Sequence, residues 1–262
     1  MDLGIEGRVA LVSASSKGLG REAACSLAAE GARLAICARG GEALGETAEM
    51  LRGLGAEVLD EVCDLTDSEQ AQELVEKTLA HFGQLDILVT NCGGPPPGKF
   101  LDHDIERWRE AVDLNLMSAV YLCRAAAPQM IERGWGRIVL MTSISVKQPI
   151  DGLILSNSVR AAVVGLGKTL AAEFGPNGVL VNSVCPGYFL TERVHSLAEK
   201  LADNNEVSPA EMIENWAAAG VLGRVGDPSE FGPLVAFLCS ERASYITGTA
   251  MAIDGGLCRS LL

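Results

Sequence analysis

Two short stretches carry residues suited to holding a phosphorylated ligand. The first is Ser13-Ala14-Ser15-Ser16-Lys17-Gly18-Leu19-Gly20, between an apolar strand-like run and a helix-like one. Glycines at such a junction let the main chain approach a pyrophosphate, and the free N–H groups and dipole of the following helix attract it. The full G-x-G-x-x-G pattern is absent, because Ala14 rather than glycine precedes Gly18-x-Gly20, so an ordinary glycine-rich turn is the plain alternative. The second stretch ends in Cys37-Ala38-Arg39, with no acid to bind ribose hydroxyls. Arg39 suits a ribose 2′-phosphate instead, with Lys17 approaching from the other side; the plain alternative is a solvated surface arginine. This charge pattern favours NADP(H) and leaves NAD(H) open.

Such residues need elements to position them. Strand-like runs rich in Val, Ile and Leu occupy Arg8–Ser13, Arg33–Arg39, Glu57–Asp64, Leu85–Asn91, Gly136–Ser143, Val179–Pro186 and Ala250–Asp254. Most lack polar alternation, as parallel strands buried on both faces should. Helix-length stretches at 18–30, 41–54, 67–82, 105–133, 153–174 and 228–240 separate them. In 153–174, Leu155, Val159, Val163, Leu166, Leu170 and Phe174 recur at helical spacing, and Asp227-Pro228-Ser229-Glu230 opens the last helix with an N-cap pattern. This alternation predicts an α/β fold, a doubly wound, mostly parallel sheet in one domain spanning 1–262. The one loose region is 191–226, with the polar run Asp203-Asn204-Asn205, and it is expected to serve as a substrate lid.

Composition narrows the function. The 262 residues are 48% apolar and carry a formal charge of −13, which excludes a disordered chain and makes nucleic acid and anionic membrane surfaces poor partners. Eight cysteines without a C-x-x-C pair and three histidines without zinc-like spacing predict reduced thiols, a cytoplasmic location and no metal. No leader segment and no membrane-spanning run are expected.

Taken in order, the motifs resemble the short-chain dehydrogenase/reductase family over nearly the whole chain, and most of all the bacterial 3-oxoacyl-(acyl carrier protein) reductases. The turn from Ser13 to Gly20 is similar to that family's T-G-x-x-x-G-x-G, with Ala14 at the first glycine. Cys63-Asp64-Leu65 matches the strand whose Asp contacts adenine, and Asn91-Cys92-Gly93-Gly94 loosely matches the end of the fourth strand. Asn115 corresponds to the family's helix Asn, Ser143 to its catalytic Ser, Pro186-Gly187 to its sixth-strand turn and Thr191 to its nicotinamide-binding Thr. The resemblance implies a three-layer Rossmann-type fold with seven strands, a homotetramer, a small-molecule carbonyl or acyl-thioester substrate, and hydride transfer. Ser13, Ser15, Ser16, Lys17, Gly18, Leu19, Gly20, Arg39, Asp64, Leu65, Asn91, Gly93, Arg160, Pro186, Gly187 and Thr191 are then the cofactor-binding set.

The departure is at the centre. The family's Tyr-x-x-x-Lys, thirteen residues after its Ser, falls here on Ser156-Asn157-Ser158-Val159-Arg160. Positions four apart share one helix face, so Ser156 and Arg160 point together at the site. A serine hydroxyl is a far weaker acid than a phenol beside an ammonium, and a guanidinium does not release a proton near neutrality. Arg160 still suits ribose hydroxyls and Ser143 the substrate oxygen. Lys147, Tyr188 and Ser143 with a water chain are the replacement acids to consider; their plain readings are a solvated loop cation, a packing residue and a leftover hydroxyl. His81, His103 and His195 show no triad-like carboxylate spacing. The expected function is an atypical NADP(H)-dependent oxidoreductase acting between nicotinamide and a carbonyl or alcohol. The alternatives are a nicotinamide-nucleotide-binding protein without turnover, acting as sensor, scaffold or partner subunit, and a site for isomerisation or dehydration.

Overall fold

The computed structural model describes residues 1–202 and 206–261. The apolar runs form strands β1 (Val9–Val12), β2 (Arg33–Ala38), β3 (Val58–Val62), β4 (Ile87–Thr90), β5 (Gly136–Met141), β6 (Val179–Pro186) and β7 (Ala250–Ile253). They make one seven-stranded sheet in the order β3-β2-β1-β4-β5-β6-β7. Every pairing is parallel, so "mostly parallel" sharpens to wholly parallel. β1 and β4 are buried throughout, whereas β3 at the edge alternates buried and open positions.

Alternate residues of one strand feed two cores. Ala10, Val12, Leu34, Ile36 and Val89 face the layer of α1 (Gly18–Ala29), α2 (Gly41–Gly53) and α9 (Gly232–Leu238), meeting Leu27, Leu44, Leu51 and Val235. Val9, Leu11, Ala35 and Leu88 face the other layer, α3 (Ser68–Phe82), α5 (Ser118–Arg133) and α6 (Ile154–Phe174), meeting Leu74, Leu122, Met130 and Val163. Because the chain reverses its direction of travel across the sheet between β3 and β4, a crevice opens where β1 and β4 part, above their C-terminal ends.

Three expectations about helices are corrected. The stretch 105–133 is helical throughout but not one regular α-helix: α4 (Ile105–Val112) passes through a wide turn over Asp113–Met117 into α5. Apolar spacing survives such a turn, so the sequence pattern does not reveal it. In 228–240, Asp227 and Glu230 make a reciprocal cap on a short 3₁₀ turn, Pro228–Glu230, and α9 begins only afterwards. The region 191–226 is largely regular, holding α7 (Glu192–Ala202) and α8 (Pro209–Ala219), the latter opened by a Ser208–Glu211 capping box. Asp203-Asn204-Asn205 lies outside the described residues.

α1 carries the glycine turn at its start, and α9 fixes it in place. A Cβ at Gly232 would lie 2.0 Å from Ser26 Oγ and 2.4 Å from the Glu22 carbonyl oxygen, so the two helices touch backbone to backbone there. Gly232→Ala is expected to destabilise the protein by about 1–3 kcal/mol, because the main chain of α1 must shift to admit the methyl. Urea denaturation followed by circular dichroism measures this, and an unchanged midpoint would show that the contact is not limiting.

Candidate active site

The site is built where β1 leaves the sheet. Ser13 donates its N–H to the Val89 carbonyl at 3.1 Å. Its hydroxyl donates to the Asn91 carbonyl and accepts the Asn91 N–H, both at 2.7 Å. Asn91 Nδ2 donates in turn to the Ala14 carbonyl at 3.1 Å, and Ser15 Oγ donates to the Val12 carbonyl at 2.9 Å. Ser13 and Ser15 are thus buried braces beneath the turn rather than lining residues. A Cβ at Gly20 would fall 2.3 Å from the Ala14 oxygen and 2.6 Å from Asn91 Nδ2, so only glycine lets α1 start so close to the turn. Lys17, at the N-cap of α1, makes no side-chain capping bond, and no acid occupies the first turn. The first N–H groups of the helix therefore face a cavity with no side chain from the cap or the first turn bonded to them.

That cavity measures about 790 Å³ and runs over the ends of β2 through β6 to α7. At one end stand Ser16, Gly18, Leu19, Arg39, Asp64 and Leu65. Arg39 is exposed and has no hydrogen bond or ion pair among the described residues. Asp64 accepts from the Thr66 N–H and hydroxyl at 3.0 and 2.9 Å. Lys17 lines the same cavity, and its ammonium is paired with Glu192 across the cleft.

At the other end stand Ser143, Ser156, Arg160, Pro186, Gly187, Tyr188, Thr191 and Arg193. Ser143, in the turn after β5, accepts the Ser145 N–H at 3.1 Å, which leaves its O–H to donate into the cavity. Ser156 Oγ lies 3.3 Å from Ser145 Oγ. Arg160, one turn along α6 from Ser156, is buried and donates to the carbonyls of Met141 (3.3 Å), Thr142 (3.1 Å) and Gly93 (3.3 Å). Asn115 sits behind this group in the wide turn, donating to the Gly93 carbonyl and to Cys92 Sγ, both at 2.9 Å, with its Oδ1 unpartnered. Tyr188 stacks flat on Trp216 of α8, ring centres 4.3 Å apart, and burial pushes its phenol up to about 12.

The chain matches a family model described as enoyl-(acyl carrier protein) reductase over residues 13–258. Human dehydrogenase/reductase SDR family member 4 is 33% identical over 250 residues, 95% of this chain and 87% of that protein. The crystal structure of L-sorbose reductase from Gluconobacter frateurii, complexed with NADPH and L-sorbose, superposes with a TM-score of 0.94 at 34% identity, covering 100% of both chains. A variant of actinorhodin polyketide ketoreductase with NADPH superposes at 0.93 and 34% identity, covering 97% of this chain and 98% of that one.

The chain is a short-chain dehydrogenase/reductase. As a member of that family it is an NAD(P)-dependent oxidoreductase. The residues fit such a dinucleotide: the bare start of α1 and the glycine-only approach at Gly20 suit a pyrophosphate, and a Cβ at Gly18 would lie 3.6 Å from Thr191 Cγ2 across the cleft.

The fold of this short-chain dehydrogenase/reductase brings Ser143, Ser156, Arg160 and Tyr188 of the predicted catalytic set to one cavity. Asn115 stands one layer back, and Lys147, half-buried beyond the turn Ile144–Val146, is not among the lining residues. Sequence reasoning missed Arg193 and Glu192, which open α7 two residues and one residue after Thr191. Their adjacency to Thr191 was the available signal. It also missed the backbone at Ala14, whose φ of 46° lies in the left-handed region. The fold of the turn has kept a glycine conformation under an alanine, at a cost of about 1 kcal/mol. Ala14→Gly is therefore expected to raise stability by up to about 1 kcal/mol without weakening NADPH binding; a thermal melt and a fluorescence titration check both halves.

Proposed function

We propose that this enzyme is an atypical NADP(H)-linked carbonyl reductase, similar to 3-oxoacyl-thioester reductases, working in the cytoplasm as a homotetramer. The observation that carries the reading is a single cleft with an unpartnered Arg39 at one end and Ser143 beside Arg160 at the other. NADPH in two solved relatives supports the phosphorylated cofactor. The open apolar side chains Phe100, Leu101 and Ile105 offer a face for a second copy. No described helix is long and apolar enough to cross a membrane.

Hydride is the chemistry that a bound nicotinamide supplies. Ser143 donates its hydroxyl to the substrate carbonyl oxygen and so fixes its position. Arg160, held on three main-chain carbonyls, keeps a permanent positive charge beside that oxygen and beside the ribose, stabilising an alkoxide without giving up a proton. Ser156 stands at the acid's position as a weak proton donor, with Ser145 behind it. Tyr188 is a poor substitute, because its phenol is harder to ionise than a free tyrosine and is fixed against Trp216. Proton delivery is then the slow step, and loss of a general acid costs about 10²–10⁴-fold in rate. That same lack of an acid favours the second reading, a nucleotide-binding protein without turnover.

NADPH oxidation with a short 3-oxoacyl thioester separates the two. Wild type should turn over slowly, and Ser156→Tyr/Arg160→Lys should gain about tenfold or more. An inert wild type beside an active double variant would install the second reading, whereas equal rates would mean that another residue delivers the proton. Arg39→Ala should weaken NADPH about 10- to 100-fold and NADH by less than about twofold, the worth of a charge-assisted phosphate contact. Equal loss for both cofactors would remove the 2′-phosphate role.

A further inference from the structure

The cavity is electrically unlike the rest of the chain. Against a formal charge of −13, its lining carries five cations and two acids, and the two acids are at the far end or already engaged. Asp64 stands by the adenosine position with Thr66, and Glu192 is paired with Lys17. The Ser143 end holds two guanidinium groups, and the carboxylate between Thr191 and Arg193, that of Glu192, is already taken up by Lys17.

Neither guanidinium has an acid partner among the described residues. Arg160 donates only to main-chain carbonyls, the last being that of Gly93. Arg193 donates to the carbonyl of Pro95 at 2.8 Å and lies over Gly94, where a Cβ would come within 2.6 Å of its Nη2. The two charges thus flank the three-residue segment Gly93–Pro95. They feel each other: desolvation, and then the charge of Arg160, lowers the affinity of Arg193 for its proton. Two like charges brought together without a counterion cost stability, which a bound anion would recover. Arg160 alone suffices for ribose hydroxyls and an alkoxide, so the function proposed above does not use Arg193.

Resting on that carbonyl-reductase reading, we infer that the substrate is an oxo acid, whose carboxylate is bound by Arg193 while its carbonyl oxygen meets Ser143. A planar guanidinium is suited to pair with a carboxylate through two parallel hydrogen bonds, fixing the carbonyl's orientation as well as its charge. Arg193 is in this view a specificity-determining residue, carried in on the first turn of α7. The other source of an anion at this place is a phosphate of the dinucleotide itself, and the test separates the two.

Wild type, Arg193→Met and Arg193→Lys are compared with 3-oxobutanoate and 4-oxopentanoate beside their ethyl esters, using NADPH oxidation. NADPH affinity is measured separately by fluorescence titration. Binding of each acid and ester to the NADP⁺-loaded protein is measured by calorimetry, which needs no turnover. At least one acid should bind and turn over with a KM about tenfold or more below that of its ester. Arg193→Met should erase that preference, raising the acid's KM at least tenfold while the ester's KM and the NADPH affinity stay within twofold. Arg193→Lys should recover part of it. Esters that match their acids in wild type would overturn the inference. So would Arg193→Met weakening NADPH, acid and ester alike, which would assign Arg193 to the cofactor's phosphate or to bracing the Gly93–Pro95 segment. Acid binding with an Arg193-dependent preference but no NADPH oxidation would leave the anion site standing and remove the reductase reading.

Discussion

The exchange of hydrogen bonds between Ser13 and Asn91 is the interaction on which the site depends. β1 and β4 are neighbours in the sheet, but their continuations must part, one toward the glycine turn and the other toward Gly93. Two bonds of 2.7 Å through one serine hydroxyl hold the strand ends together at that fork. Asn91 then reaches the Ala14 carbonyl, the same oxygen that forbids a side chain at Gly20. The start of α1, the turn beneath it and the wall formed by β4 are therefore one braced unit. A buried hydroxyl with both donor and acceptor capacity satisfied has no reason to move.

From this fork the cleft is organised by backbone oxygens as much as by side chains. The Gly93 carbonyl accepts from both Asn115 and Arg160, tying the wide turn before α5 and the start of α6 to the end of β4. Asn115 lies within the wide turn, and its side chain donates to the Gly93 carbonyl from there. One wall of the cleft is thereby tied to the sheet, while α7 and α8 border the remaining side with Arg193 and the stacked Tyr188–Trp216 pair.

Much of this was legible in the sequence because burial on both faces leaves an unmistakable mark. Val9–Val12 and Ile87–Thr90 are apolar or small because nothing else can sit inside a parallel sheet. Ser143, Ser156 and Arg160 were reached through the family resemblance, as the positions that match its catalytic Ser and its Tyr-x-x-x-Lys. What escaped depended on distance through space. The pairing of Lys17 with Glu192, 175 positions away, leaves no mark in the sequence. Arg193 escaped because the polar stretch after β6 reads as loose, although a capping box and amphipathic spacing build helices there. The wide turn at Asp113–Met117 keeps the apolar rhythm on both sides and so leaves no trace. The left-handed backbone at Ala14 is set by the fork around it, and the residue type itself argued against it.

The three carbonyl bonds of Arg160 bear on what a lysine at this position would give up. A planar guanidinium spans the gap between the ends of β4 and β5; an ammonium is a single point that cannot meet both edges in the same way. With main-chain oxygens at the ends of two strands resting on the wider cation, lysine at position 160 surrenders anchorage before it offers an ammonium to a neighbour. A tyrosine arriving first at position 156 would lack the ammonium that makes its phenol useful. Each change alone therefore gives up more than it supplies, and only the two together exchange a fixed cation for a proton-donating pair.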